Sequence, residues 1–133
     1  MPSPFRSALA QENFQGVVLF QSYTQQAIEG VGMSAMSDYA NRIDNNFDVF
    51  SDDHDDMATI LFGESIQLGF DKDGRITLPQ KFIDFMQIDD EIAFVGMGQK
   101  FQLWKPATFE KRRDMARQAL QKKKVTLPKG DNA

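Results

Sequence analysis

A short turn sequence bracketed by alternating apolar residues sets the strongest limit on how this chain can fold. Phe70, Asp71, Lys72, Asp73, Gly74, Arg75, Ile76, Thr77, Leu78 and Pro79 follow one another in order. Before the turn, Ile66, Leu68 and Phe70 alternate with Ser65, Gln67 and Gly69; after it, Ile76 and Leu78 alternate with Arg75 and Thr77. Successive side chains of a strand point to opposite faces. Period-two alternation on both sides of an Asp-Gly pair therefore predicts a β-hairpin, because Gly accepts the positive φ that a tight turn needs. Pro79 lacks a ladder donor, so the second strand should stop there. A proline also suits the first position of a helix, and Phe82, Phe85 and Met86 follow it at helical spacing. The turn should display Lys72 and Arg75 outward.

The rest of the chain reads as short alternating elements. Pro4, Phe5, Ala8 and Leu9 predict a short helix over 4–10. Val17, Val18, Leu19 and Phe20 form a β-branched and aromatic run, the pattern of a buried strand. A polar turn over 21–26 leads to a weak strand over 27–31. Met33, Met36, Tyr39, Ala40 and Ile43 recur at helical spacing, so 34–43 should be helical. Residues 44–56 are the most polar stretch. There Ser51 or Asp52 caps a helix over 53–62, with acids favoured at its positive N-terminal end, and Gly63 ends it. A turn at Asp89 and Asp90, a strand over 92–97, a turn over 96–100 and a strand over 101–104 follow. Pro106 opens a last helix with Phe109, Met115, Ala116, Ala119 and Leu120 as its apolar face. Lys111, Arg112, Arg113, Arg117 and Lys122 to Lys124 occupy its other face, where a charge run is most simply a solvated surface. Residues 125–133 form a tail.

Charge is unevenly distributed. The net charge of the 133 residues is −4. Residues 1–64 carry two basic against ten acidic residues, a net of −8, and residues 65–133 carry thirteen against nine, a net of +4. Binding responds to the local field, so the acidic total does not exclude an anionic partner. With no cysteine there is neither a disulfide framework nor a thiolate metal site. No run approaches the roughly 18 apolar residues of a membrane span, and the start has no basic region followed by a long apolar run, so a cytoplasmic protein without membrane contact is expected.

The layout repeats. Pro2 to Phe5 matches Pro79 to Phe82 at an offset of 77, and Val17 to Phe20 falls near Ile92 to Val95 at about the same offset. The Met33–Ile43 helix then corresponds to the Phe109–Leu120 helix. Neither half alone can bury a core, so repetition says more than any single motif. The second copy is preceded by the hairpin; in the first, the matching hairpin would lie before Met1.

Asp71 to Pro79, then Val95 and Gly96, then Phe101 to Trp104 and the following helix, resemble the second repeat of the MraZ family. These are bacterial regulators encoded at the head of the division and cell-wall gene cluster, with a fold of the AbrB/SpoVT swapped-hairpin class. The resemblance covers about residues 2–120 and is most specific over 64–110. It implies an α+β fold of two tandem βαββ-type repeats forming a small β-barrel with flanking helices, the first repeat without its N-terminal hairpin. The boundaries it implies are 1–35 for repeat 1, 36–63 for connecting helices, 64–107 for repeat 2 and 108–133 for the C-terminal helix and tail. It further implies a cytoplasmic, nucleoid-associated regulator, generally a repressor. Such a regulator binds direct repeats in its own promoter as a ring-like homo-oligomer, with double-stranded DNA and itself as partners. Asp71, Lys72, Gly74 and Arg75 are the residues onto which the family's DNA-facing loop carries over.

Other functions find less support. The alternative is an oligomeric interaction module without DNA binding, with Met33, Met36, Phe50 and Phe62 at its contacts. An enzyme is not expected: His54, the one histidine, lies among acids with no paired serine or cysteine nucleophile, and no phosphate-cradling loop is present. No small-molecule substrate, cofactor or metal is implied. Asp71 and Asp73 begin like a calcium loop, but position twelve is Phe82 instead of Glu. The acids around His54 fit a helix start better than a metal site. For Arg75, the competing role is an ion pair with Asp71 or Asp73 that only pins the turn.

Overall fold

The computed structural model describes residues 16–130; the helix expected over 4–10 lies outside the described residues. The first strand, β1, spans Gly16–Gln21 and the second, β2, spans Ile28–Val31. They form an antiparallel hairpin whose polar loop is closed by the Ser22 N–H on the Ala27 carbonyl at 2.9 Å. Helix α1 runs over Met33–Asn46 and α2 over Asp52–Ala58, the latter continuing as one wide π turn over Thr59–Gly63. Strand β3 (Ile66–Gly69) and helix α3 (Gln80–Met86) follow. Strands β4 (Ala93–Gly96) and β5 (Phe101–Trp104) then precede the last helix, α4 (Pro106–Lys123).

The fold is thus α+β. The strands make one antiparallel sheet in the order β3-β1-β2-β5-β4. Among the described residues the sheet is open, with β3 and β4 at its edges, where the resemblance led us to expect a small barrel.

The sheet is a central layer with a separate apolar cluster on each face. Val17, Leu19, Ile28, Phe101 and Leu103 pack on one side with Phe82 and Met86 of α3. Val18, Phe20 and Val31 pack on the other with Met36 of α1. This explains the unbroken apolar run of β1: both faces are covered, so neither set of side chains can be polar. Gly30 serves the same economy of space. A Cβ there would stand only 2.2 Å from the Phe101 ring, which lies across the strand and stacks on Phe94 at 4.7 Å.

The expected hairpin of residues 66–78 does not form as a ladder. β3 pairs with β1, from Gly16 opposite Gly69 to Leu19 opposite Ile66. Residues 75–79 are not a strand. Ile76 and Leu78 instead pack against the α3-side cluster. A solvated backbone loses little by forgoing ladder bonds, which net about 1 kcal/mol each, whereas apolar burial returns comparable energy per side chain without a fixed register.

The last helix also departs from expectation. Its start is held: Pro106 occupies the first turn and the Phe109 ring lies 5.7 Å from that of Trp104. Its intended apolar face is left bare farther on, with Met115 63% and Leu120 52% exposed. No described helix is long and apolar enough to cross a membrane.

Candidate nucleic-acid interface

The turn between β3 and α3 is built by one carboxylate. Asp71 Oδ1 accepts from the backbone N–H groups of Asp73 at 2.8 Å and Arg75 at 2.9 Å. The Gly74 N–H donates to the Asp71 carbonyl at 3.0 Å, and the Asp71 N–H to the Arg75 carbonyl at 2.9 Å. An aspartate that bonds its own downstream backbone is the standard means of fixing a turn without a ladder. Gly74 adopts φ 74°, which L side chains rarely accept. The hydrogen bond from the Arg75 N–H is the main cause holding the Asp71 carboxyl below the usual carboxylate range.

The four residues of the expected DNA-facing loop therefore divide by role. Asp71 and Gly74 shape the backbone. Lys72 and Arg75 are exposed, and among the described residues neither side chain lies within ion-pair distance of a carboxylate. The Asp71 carboxylate pins the turn through backbone N–H groups, and the Arg75 charge also acts on that carboxylate from beyond ion-pair distance. With Asp71 and Asp73 against Lys72 and Arg75, the turn carries no net charge.

α3 starts directly from this segment. The Pro79 carbonyl accepts from Phe82 at 3.0 Å and Ile83 at 3.4 Å. Phe82 and Met86 are buried in the α3-side cluster. The loop is accordingly anchored at both ends, by β3 in the sheet and by α3 in the core.

Two other polar constellations belong to the architecture. Glu29, 5% exposed, accepts from Lys100 Nζ at 2.5 Å and from Gln102 Nε2 at 2.5 Å; Gln102 in turn accepts from Trp104 Nε1 at 2.9 Å. Buried charge persists only when paired and hydrogen-bonded, and this chain meets that condition. Glu29 and Lys100 line a cavity of about 530 Å³ together with Phe20, Tyr39, Arg42 and Ile43. Sequence reading missed this group because Glu29 lies some 70 residues from its partners; a lone glutamate inside an apolar strand was the only local sign.

The second constellation is the acidic run. Ser51 Oγ accepts from the His54 N–H at 3.1 Å, so Ser51 is the cap of α2. His54 Nε2 meets Asp44 Oδ1 of α1 at 2.9 Å, while Nδ1 faces Asp55 Oδ1 at 3.6 Å, too far for a hydrogen bond. The Asp44 bond is the main reason the imidazole holds its proton above the ordinary histidine range. His54 thus joins two helices.

Fold and turn together describe a small α+β protein that presents a hydrogen-bonded, cation-bearing loop at the margin of its sheet. Residues 61–127 match the model of the family described as MraZ protein, putative antitoxin-like. The chain is 36% identical over 127 residues to the transcriptional regulator MraZ of Rickettsia canadensis (strain McKiel), covering 96% of this chain and 85% of the relative. It is 35% identical, with the same coverage, to the proteins of that name from Rickettsia akari (strain Hartford) and Rickettsia rickettsii (strain Sheila Smith). The chain belongs to the MraZ family. That family is one of transcriptional regulators and not of enzymes.

Proposed function

We propose that this protein is a sequence-specific DNA-binding transcriptional regulator. In this reading it acts in the cytoplasm at the nucleoid as a repressor of the division and cell-wall gene cluster. It binds direct repeats in its own promoter as a homo-oligomer, with residues 1–35 and 64–107 as tandem repeats, 36–63 as connecting helices and 108–133 as the C-terminal helix and tail. The observation that carries it is the Asp71-pinned turn, which holds Lys72 and Arg75 outward without ion-pair partners among the described residues.

The chemistry follows from the donors. Arg75 offers a planar fork that matches phosphate, or the O6 and N7 of guanine, bidentately. Lys72 acts as a point charge toward phosphate. Asp71 contributes indirectly, by fixing the backbone from which Arg75 projects. A turn of zero net charge binds weakly alone, so affinity requires several turns held at fixed spacing, each raising the effective concentration of the next. Fixed spacing in an oligomer matches fixed spacing in repeated DNA sites.

The test is fluorescence anisotropy with DNA from upstream of the gene cluster. Wild-type affinity should fall linearly with the logarithm of salt concentration, as phosphate contacts demand. Arg75→Ala should weaken binding about 5- to 150-fold, corresponding to about 1–3 kcal/mol for a base contact, while the thermal midpoint moves by less than about 2 °C. Equal affinity for scrambled DNA would refute sequence-specific regulation and favour the interaction module.

A further inference from the structure

The cavity beside Glu29 takes no part in the Asp71–Arg75 turn: no residue of 70–79 lines its roughly 530 Å³. Phe20 and Glu29, register partners on β1 and β2, form part of its wall. Tyr39 and Ile43 of α1, Phe47 just after that helix, and Leu61 supply more of it. Leu61 belongs to the π turn that ends α2, and π turns inside helices occur frequently at functional sites. The charged members are unequal. Glu29 already accepts from Lys100 and Gln102, so its charge and that of Lys100 offset each other. Arg42 is the remaining charged residue of the lining. Its guanidinium lies 5.9 Å from the centre of the Tyr39 ring. Its pairing with Asp38, at 3.6 Å between two exposed side chains, is weak.

We propose that this cavity binds a small aromatic molecule carrying one carboxylate, with the ring against the apolar wall and the carboxylate on Arg42. The volume falls in the range of about 300–1,000 Å³ typical of small-molecule sites, which combine an apolar lining with a few placed polar groups. Phe20, Tyr39 and Phe47 bring three aromatic rings to the lining, and ring–ring pairs gain stability beyond the area they bury. The Arg42 fork matches a carboxylate with two parallel N–H donors. One net positive charge in the lining selects a monoanion. A cation would meet Arg42 with Glu29 already paired, and a dianion would bring one charge without a counterpart. Such a ligand touches the sheet, α1 and the π turn at once and binds only the folded chain, so it stabilises the fold by mass action.

Naphthoate is a suitable probe, and naphthamide, the same ring system without charge, is its control. Calorimetry should show naphthoate binding the wild type more tightly than naphthamide, and saturating naphthoate should raise the thermal midpoint. The methyl resonance of Met57, which also lines the cavity, should shift on titration while that of Met115 on α4 stays in place. Arg42→Gln should weaken naphthoate binding about threefold to fivefold, the scale of an exposed charge pair, and leave naphthamide binding unchanged. Asn46→Trp, which puts a bulky ring in the lining, should weaken both. Arg42 and Asn46 are exposed, and circular dichroism should show wild-type helix content in both variants. Arg75→Ala should leave naphthoate binding unchanged, so loss of DNA recognition and loss of this site are read separately. A Met57 resonance unmoved by millimolar naphthoate would overturn the site, as would a shift confined to Met115. Equal affinity for the two probes, or equal weakening of both by Arg42→Gln, would overturn the anionic class of ligand.

Discussion

Strand β1 and the segment 75–79 both place apolar side chains at alternate positions, yet they end in opposite situations. β1 is paired along both edges and buried on both faces, with Leu19 fully buried between β2 and β3. Segment 75–79 has no strand partner within the described chain, and its Ile76 and Leu78 are only half-buried. What shapes the turn before it is local: one carboxylate bonded to two backbone N–H groups. The difference separates two jobs. β1 carries the stability of the molecule, and the turn can present cations because little of that stability passes through it.

That separation can be broken at three points. The largest expected effect is at β1. Leu19→Ala should cost about 2–5 kcal/mol in unfolding free energy by denaturant titration, the range for a fully buried leucine that leaves a cavity. DNA affinity measured well below the new midpoint should be unchanged. If affinity falls in step with stability, the turn is not independent of the core. Next is Asp71→Ala, which removes the acceptor of two exposed hydrogen bonds and should lower the thermal midpoint slightly and weaken DNA binding through a loosened Arg75. Asp71→Asn keeps an acceptor oxygen and should restore most of both. Binding unaffected by either change would mean that turn geometry does not matter to recognition.

The smallest effect concerns pH and tests whether the α1–α2 joint behaves like the turn, as a local device. Its folded state holds the His54 proton more tightly than the unfolded state does. The stabilisation is therefore fully present below the ordinary histidine value of about 6.5 and disappears as pH rises through the raised folded value. The thermal midpoint of the wild type should fall slightly between about pH 6 and about pH 8, and His54→Gln should flatten that slope. An unchanged slope would remove His54 from the joint.

Much of the fold was legible because its signals are local. The apolar run of β1, the helical spacing from Met33 to Ile43, the Ser51 cap and the Pro79 and Pro106 helix starts all report short-range physics. The turn at Asp71 to Arg75 was legible for the same reason, down to the glycine with positive φ. The strand partners were not. Alternation on both sides of the turn pointed to a hairpin, but β3 found β1, some 50 residues earlier, and nothing in the alternation distinguishes a near partner from a distant one. The apolar stripe of α4 likewise suggested burial, because spacing states which side chains share a face and not whether a partner covers it. The Glu29–Lys100–Gln102 group had no local sign beyond its one misplaced acid.

The position of β5 beside β2 has a consequence for the birth of the molecule. Glu29 meets Lys100 and Gln102 across 71 and 73 residues of chain, and Gly30 waits for the Phe101 ring. During synthesis, β1 and β2 emerge long before either outer neighbour exists. Until the chain has passed Trp104, β2 presents an unpaired edge, an acid without its partners and a vacant seat over its glycine. Contacts of such separation are slow to close and expose strand edges in the interval. Folding of this sheet therefore waits for β5, some 70 residues downstream of β2.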